Sequence, residues 1–237
     1  MCGIVGLFLK DKSLEPQLGA MLTDMLVTMT DRGPDSAGIA IYSDEAAGLS
    51  KLTVQSDDAP AAFDGLAEAL GGLIGACVTV AQKDTHAVIE LPTNKIEAAR
   101  DAMAGMPGQI RVMSVGEIIE IYKEVGLPRD VATRFEVSAM SGTHGIGHTR
   151  MATESAVTTM GAHPFNTGAD QCLVHNGSLS NHNSLRRKLR RAGVRIETEN
   201  DSEVAAAYLT WQMQNGATLG EALESSLDDL DGFFTFV

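Results

Sequence analysis

The sequence predicts an α+β protein whose main domain is interrupted by a small inserted α/β subdomain. Three observations lead there. Apolar strand-like runs at residues 2–9, in "AGIAIYS" and in "THGIGHTRMAT" are separated by segments with helical spacing. Between residues 51 and 138, strand and helix patterns alternate on a scale that suits a small layer with its own core. From residue 139 the pattern returns to strands, followed by three helical stretches and a closing strand. At 237 residues the chain has the length for one large domain or a domain with an insert.

Taken in order, the first strand is "CGIVGLFL". Ser13 and Pro16 then mark a helix start, and Leu18, Met21, Leu22, Met25, Leu26 and Met29 recur at helical spacing. The turn "DRGPDS" leads into the strand "AGIAIYS". Within the insert, a helix near "AAFDGLAEAL" precedes the strands "CVTVAQ" and "HAVIEL". A helix "NKIEAARDAMAG", a strand "IRVMSV" and a helix "EIIEIYKEVG" follow. "THGIGHTRMAT" alternates as a strand does, and "QCLVHNGSL" reads as a strand running into a tight Asn-Gly turn. "NHNSLRRKLRRAG" is a helix closed by Gly193. "DSEVAAAYLTWQMQNG" is a helix whose acidic start suits the positive end of the helix dipole. Leu219, Leu223, Leu227 and Leu230 lie on a further helix, and "GFFTFV" is an apolar strand.

Charge narrows the partners. With 18 Lys+Arg against 31 Asp+Glu the net charge is −13, which argues against nucleic acid, since phosphate binding needs an excess of cations. Arg186, Arg187, Lys188, Arg190 and Arg191 form the one basic cluster, read as a solvated helix face or a subunit contact. No run of 18 apolar residues and no basic leader are present, so the expectation is a cytoplasmic protein without a membrane segment. Cys2, Cys77 and Cys172 read as free thiols, and no CxxC spacing suggests zinc. His144 and His148 on one strand are about 13 Å apart, too far to chelate one metal. His86, His163, His175 and His182 read as structural hydrogen-bonding residues.

The chemistry gathers at the N-terminus. Removal of Met1 would leave Cys2 with both a thiol and a free α-amine. Such an amine titrates near 7.7–8.0, so roughly a tenth of it is neutral at pH 7 and can act as the base for its own thiol. Alone, Cys2 reads first as a buried thiol in an edge strand, cysteine being among the most buried residue types. Three further segments bear on the choice. "HNG" offers the Asn176 amide beside the Gly177 N–H, a pair suited to an oxyanion or merely to a hairpin. "GHTR" sets Arg150 at a strand end, suited to gripping a carboxylate or to a surface ion pair. "NDSE" puts Asp201 at a helix start, where it binds an ammonium or acts as the N-cap.

The ordered set "MCGIVG", "RGPDSAG", "GIGHTRMATES", "AHPF", "HNGSLSNH" and "NDSE" resembles the class II glutamine amidotransferases. These are N-terminal-nucleophile hydrolases built as a four-layer αββα sandwich. The resemblance covers about residues 1–45 and 140–237. "GTHGIGHTRMATES" and "HNGSLSNHNSLRR" are most similar to the glutamate synthase branch, nearest the stand-alone amidotransferase subunit of N-methylglutamate synthase. It implies a core of residues 1–50 and 139–237, C-terminally incomplete for that sandwich, with 51–138 as an insert.

The resemblance also assigns roles. It implies that Cys2 attacks the side-chain amide of L-glutamine and that Asn176 and the Gly177 N–H form the oxyanion hole. Arg150, helped by Thr153, binds the α-carboxylate, Asp201 binds the α-ammonium, and Arg32 shapes the loop over the site. The chain itself would need no cofactor. Any FMN and iron–sulfur cluster would belong to synthase subunits of a hetero-oligomeric complex. Two alternatives stay open: a non-catalytic subunit sensing glutamine or glutamate, and an N-terminal-nucleophile hydrolase of another amide. Retention of Met1 would favour the former.

Overall fold

The computed structural model describes residues 2–45, 47–152 and 156–237. Strand β1 (Gly3–Phe8) follows Cys2 directly, and a 3-10 turn (Lys12–Gln17) leads into helix α1 (Leu18–Thr28). Leu18, Leu22 and Leu26, four residues apart on one helix face, are fully buried against Val5, Ile39 and Ile41. Strand β2 (Ser36–Tyr42) is buried at every position because it lies inside a sheet covered on both faces.

The insert is a βαββαβ unit: β3 (Leu49–Gln55), α2 (Ala59–Phe63), α3 (Leu66–Ile74), β4 (Thr79–Lys83), β5 (His86–Pro92), α4 (Ile96–Met103) and β6 (Arg111–Gly116). Its strands form an antiparallel sheet in the order β4-β5-β3-β6, the ferredoxin-like arrangement. Leu52, Val54, Ile89 and Leu91 from the strands meet Leu66, Leu70, Ala99 and Met103 from α3 and α4 in a separate core.

The chain then returns to the first sheet. The segment "EIIEIYKEVG", expected as a helix, instead contains strand β7 (Ile119–Val125), paired along its length with β2. Its alternation explains this. Ile119 and Ile121 pack with Ala40 and Tyr42, while Tyr122 on the opposite face packs with Ile39 and Ile41. A free edge of β2 offers such a segment more than the helical preference of Glu and Lys. The insert's own strands thus end at Gly116 rather than running toward residue 138, and helix α5 (Pro128–Arg134) packs beside α1 over the first sheet.

Strand β8 (His144–Arg150) completes this sheet in the antiparallel order β1-β8-β2-β7. Against its other face lie β9 (Phe165–Gly168), β10 (Gln171–Leu173) and β11 (His175–Leu179). Approach of the two layers is close: a Cβ at Gly38 would run into the His163 carbonyl. Asp170, in the β9–β10 turn, accepts the N–H groups of Glu117 (2.9 Å), Ile118 (2.9 Å) and Ile119 (3.1 Å), pinning the β6–β7 link to this layer.

Outside stand α6 (His182–Arg191), α7 (Asp201–Gln214) and α8 (Leu219–Asp229), and β12 (Gly232–Phe236) pairs with β11. Residues 202–210 of α7 are buried throughout, enclosed by the strands and the neighbouring helices. In the basic cluster Arg187, Lys188, Arg190 and Arg191 are exposed as expected. Arg186 instead turns inward, bonded to Asn183 at 2.6 Å and to Glu199 at 3.1 Å. The layers therefore run helix, sheet, strands, helix, the αββα order with an inserted α/β unit.

Candidate active site

Pairing of Gly3 with Thr149 brings the chain's start beside the end of β8. Cys2 is half-buried there, its Sγ 3.9 Å from the Met151 carbonyl. Two side chains hold its carbonyl oxygen: Arg32 Nε at 3.3 Å and Asn176 Nδ2 at 3.2 Å. Arg150 is buried, with Nη1 donating to the Ala156 carbonyl at 3.2 Å. Asp35 fixes the backbone on either side of it. Its N–H donates to the Arg150 carbonyl (3.1 Å), and its carboxylate accepts the Ala152 N–H (2.8 Å).

Asn176 and Gly177 do not form the expected tight turn. They lie inside β11, opposite Thr235 and Phe234 of β12. Gly177 has φ +145°, and a Cβ there would meet the Phe233 carbonyl, so this position requires glycine. Asp201 opens α7 but is not its cap. Asn200 accepts the Ser202 N–H at 2.8 Å, while the Asp201 carboxylate accepts the Leu179 N–H at 2.9 Å, linking α7 to β11. An acidic side chain in that first turn also suits the helix dipole.

These elements enclose a cavity of about 880 Å³ whose wall includes Cys2, Arg150, Gly177, Ser178, Asp201 and His182. Asn176 and Arg32 reach the site through the Cys2 carbonyl. Thr153 and Met1 lie outside the described residues. The cavity thus combines a thiol, a guanidinium, a carboxylate and a strand glycine, a set able to hold a zwitterion beside a nucleophile.

His163, His175 and Ser202 also line this cavity, and His148 lies behind them; the sequence suggested only a structural hydrogen-bonding role for His163 and His175. His163 Nε2 and His175 Nδ1 both contact Ser202 Oγ, at 2.7 and 2.8 Å. His148 stacks on His163 with centroids 4.1 Å apart, and its Nε2 is 3.0 Å from Asn176 Oδ1. Burial pushes His148 down to about 4 and His163 well below the ordinary imidazole value; it also lowers His175, against the pull of Asp201. All three rings are therefore neutral at pH 7. Among the described residues no His, Cys, Asp and Glu group has an arrangement that could hold a metal.

The segment carrying His163 is held by Lys123, which is fully buried. Its Nζ donates to the carbonyls of Ala162 (2.8 Å), Pro164 (3.2 Å) and Met160 (3.3 Å), and burial lowers it to about 8. Glu203 fixes the neighbouring loop by accepting the N–H groups of Glu197 (2.8 Å) and Thr198 (2.6 Å). The sequence held one clue to His148: two residues before Arg150 on a strand, it shares that residue's face.

Comparison with known proteins agrees with this architecture. Residues 148–237 match a glutamine amidotransferase domain family. A glutamine amidotransferase-like protein of Rhizobium meliloti, GlxB, is 61% identical over 237 residues, covering 100% of this chain and 78% of that protein. Glutamine–fructose-6-phosphate aminotransferase of Aliivibrio fischeri is 31% identical over 163 residues, 69% of this chain and 25% of the relative. Among solved structures, the allosteric regulatory enzyme of purine biosynthesis superposes with a TM-score of 0.58 at 18% identity. That match covers 100% of this chain and 34% of the other, a likeness of fold alone. Since the identity to GlxB runs the whole length of a chain with this layered fold, the protein belongs to the class II glutamine amidotransferases.

Proposed function

We propose that this chain is a glutaminase subunit that hydrolyses L-glutamine to glutamate and ammonia through a thioester on Cys2. The observation carrying this reading is the single cavity shared by Cys2, Arg150, Gly177 and Asp201. With Met1 removed, the Cys2 α-amine takes the thiol proton as Sγ bonds to the amide carbon. The oxyanion that forms is met by the Gly177 N–H and the Asn176 NH₂. That NH₂ has two hydrogens, so its contact with the Cys2 carbonyl leaves one for substrate. The C–N bond then breaks, the protonated amine of Cys2 gives its proton to the leaving nitrogen, and ammonia departs. Water attacks the thioester in turn, releasing glutamate and restoring the thiol. Arg150 grips the α-carboxylate, with Thr153 assisting, and Asp201 takes the α-ammonium. Arg32, bonded to the Cys2 carbonyl, steadies the loop over the nucleophile.

The ammonia acceptor belongs to a partner. The motifs "GTHGIGHTRMATES" and "HNGSLSNHNSLRR" support a complex of the glutamate synthase type, with N-methylglutamate synthase as the nearest candidate. Its flavin and iron–sulfur groups would reside in the other subunits. An intact-mass spectrum before and after 6-diazo-5-oxo-norleucine tests the reading. Loss of Met1 and one adduct on Cys2 is the expected result. A retained Met1, or a processed Cys2 that takes no adduct, would move the assignment to a non-catalytic glutamine-sensing subunit.

A further inference from the structure

We propose that His148 is a positioning residue that locks the Asn176 amide so that its NH₂ end faces Cys2; this rests on the glutaminase reading above. The two ends of an asparagine amide have nearly the same shape, and only their hydrogen-bond partners decide which way the group turns. Here Oδ1 lies 3.0 Å from His148 Nε2 and Nδ2 lies 3.2 Å from the Cys2 carbonyl. Reversing the amide would set its NH₂ against an imidazole N–H and its oxygen against the Cys2 carbonyl, two like-with-like contacts.

The identity of the donor follows from burial and chemistry. His148 is 1% exposed and neutral at pH 7, so its ring carries one N–H. Asn176 Oδ1 can only accept, which puts that hydrogen on Nε2; Nδ1 has no partner among the described residues. The ring itself is fixed. It sits in β8 opposite Ile4 of β1 and Gly38 of β2, and stacks on His163, which is anchored to Ser202.

His148 takes no part in the cavity wall, so its influence passes through Asn176. Oxyanion donors act most strongly when their direction is set before reaction. An amide free to turn would spend part of its time presenting an oxygen to the developing negative charge.

Nitrogen-15 NMR of histidine-labelled full-length chain tests the geometry without reference to activity. His148 is expected as the Nε2–H tautomer at pH 7, and the Nδ1–H tautomer overturns the proposal. Kinetics test the consequence. His148→Leu should lower kcat for glutamine by about 10²-fold, as loss of one oxyanion donor does, with KM within about threefold of wild type. His148→Gln, whose side-chain N–H reaches the same place, should recover to within about tenfold of wild type. Equal losses in the two variants, or a rise in KM alone, would show a packing role and reject the lock. Should neither variant fold, the tautomer decides. If the processed wild-type chain turns over no glutamine, the glutaminase reading fails, while the tautomer still reports on the lock.

Discussion

The insert and the layer around the cavity bury their interiors in opposite ways. Beneath α3 and α4 the insert gathers Leu52, Val54, Leu66, Leu70, Ile89 and Leu91 in one apolar cluster, and its buried polar side chains, such as Thr53 and Gln55, alternate with these along β3. Around the cavity His148, Arg150, His163, His175, Ser202 and Glu203 are all buried. Apolar burial contributes stability directly, at about 25 cal/mol per Å². A buried polar group at best regains its desolvation cost, and only if its hydrogen bonds are made. The difference teaches what each region is for. The insert's core holds a shape, whereas the cavity layer gives up stability to hold directions: an amide toward Cys2, a carboxylate and a guanidinium toward one space.

The largest effect that would sharpen this contrast is at the proposed nucleophile. Cys2→Ala should lower glutamine hydrolysis on the order of 10⁴-fold while leaving the thermal midpoint nearly unchanged, as steady-state kinetics and calorimetry would read. Next come the proposed substrate anchors. Arg150→Ala and Asp201→Ala should each raise the KM for glutamine by about 30-fold or more, as loss of a buried charged partner does. Unchanged kinetics in either variant would remove that residue from the glutamine site.

In the insert, Leu70→Ala should behave in the converse way. It leaves a cavity costing about 2–5 kcal/mol of stability, seen in urea unfolding, with the KM of the folded protein unaltered. A large KM change there would break the division between the two regions.

The smallest effect concerns pH, and both regions contribute. Burial holds His86, beside Phe135, down to about 3 and His148 down to about 4. Above pH 6.5 these residues are neutral in both folded and unfolded chains, and their contribution is complete. As pH falls below 6.5 the unfolded chain takes up protons that the folded chain refuses. Each histidine then removes up to about 1.4 kcal/mol per pH unit, until its folded value is reached. Urea midpoints at pH 7 and pH 5 should differ in that direction, and His86→Leu should flatten the slope. An unaltered slope in that variant would show that His86 is not held neutral by the fold.

Much of this was legible beforehand. The helical spacing of Leu18, Leu22 and Leu26, the strand alternation of "GIGHTR" and the acidic start of α7 all name their elements. Cys2, Arg150, Gly177 and Asp201 were singled out from local chemistry and motif order, and they do share one cavity. Other features were hidden. "IEIYKEV" satisfies a helix nearly as well as a strand, and the free edge of β2 chose between them. "HNG" looks like a hairpin turn until β12, more than fifty residues later, pairs with it.

By itself, then, the amino-acid order determined the period of the strongly patterned elements such as α1 and β8, the thiol at the second position and the types of side chain available to the cavity. These depend on neighbours within a few residues, where propensity and hydrophobic spacing act. Only the tertiary structure decided that β7 joins the first sheet, that Asn200 rather than Asp201 caps α7, and that His148 meets Asn176. Those outcomes depend on partners brought together across the chain, and a hydrogen bond's direction is set by the partner it finds.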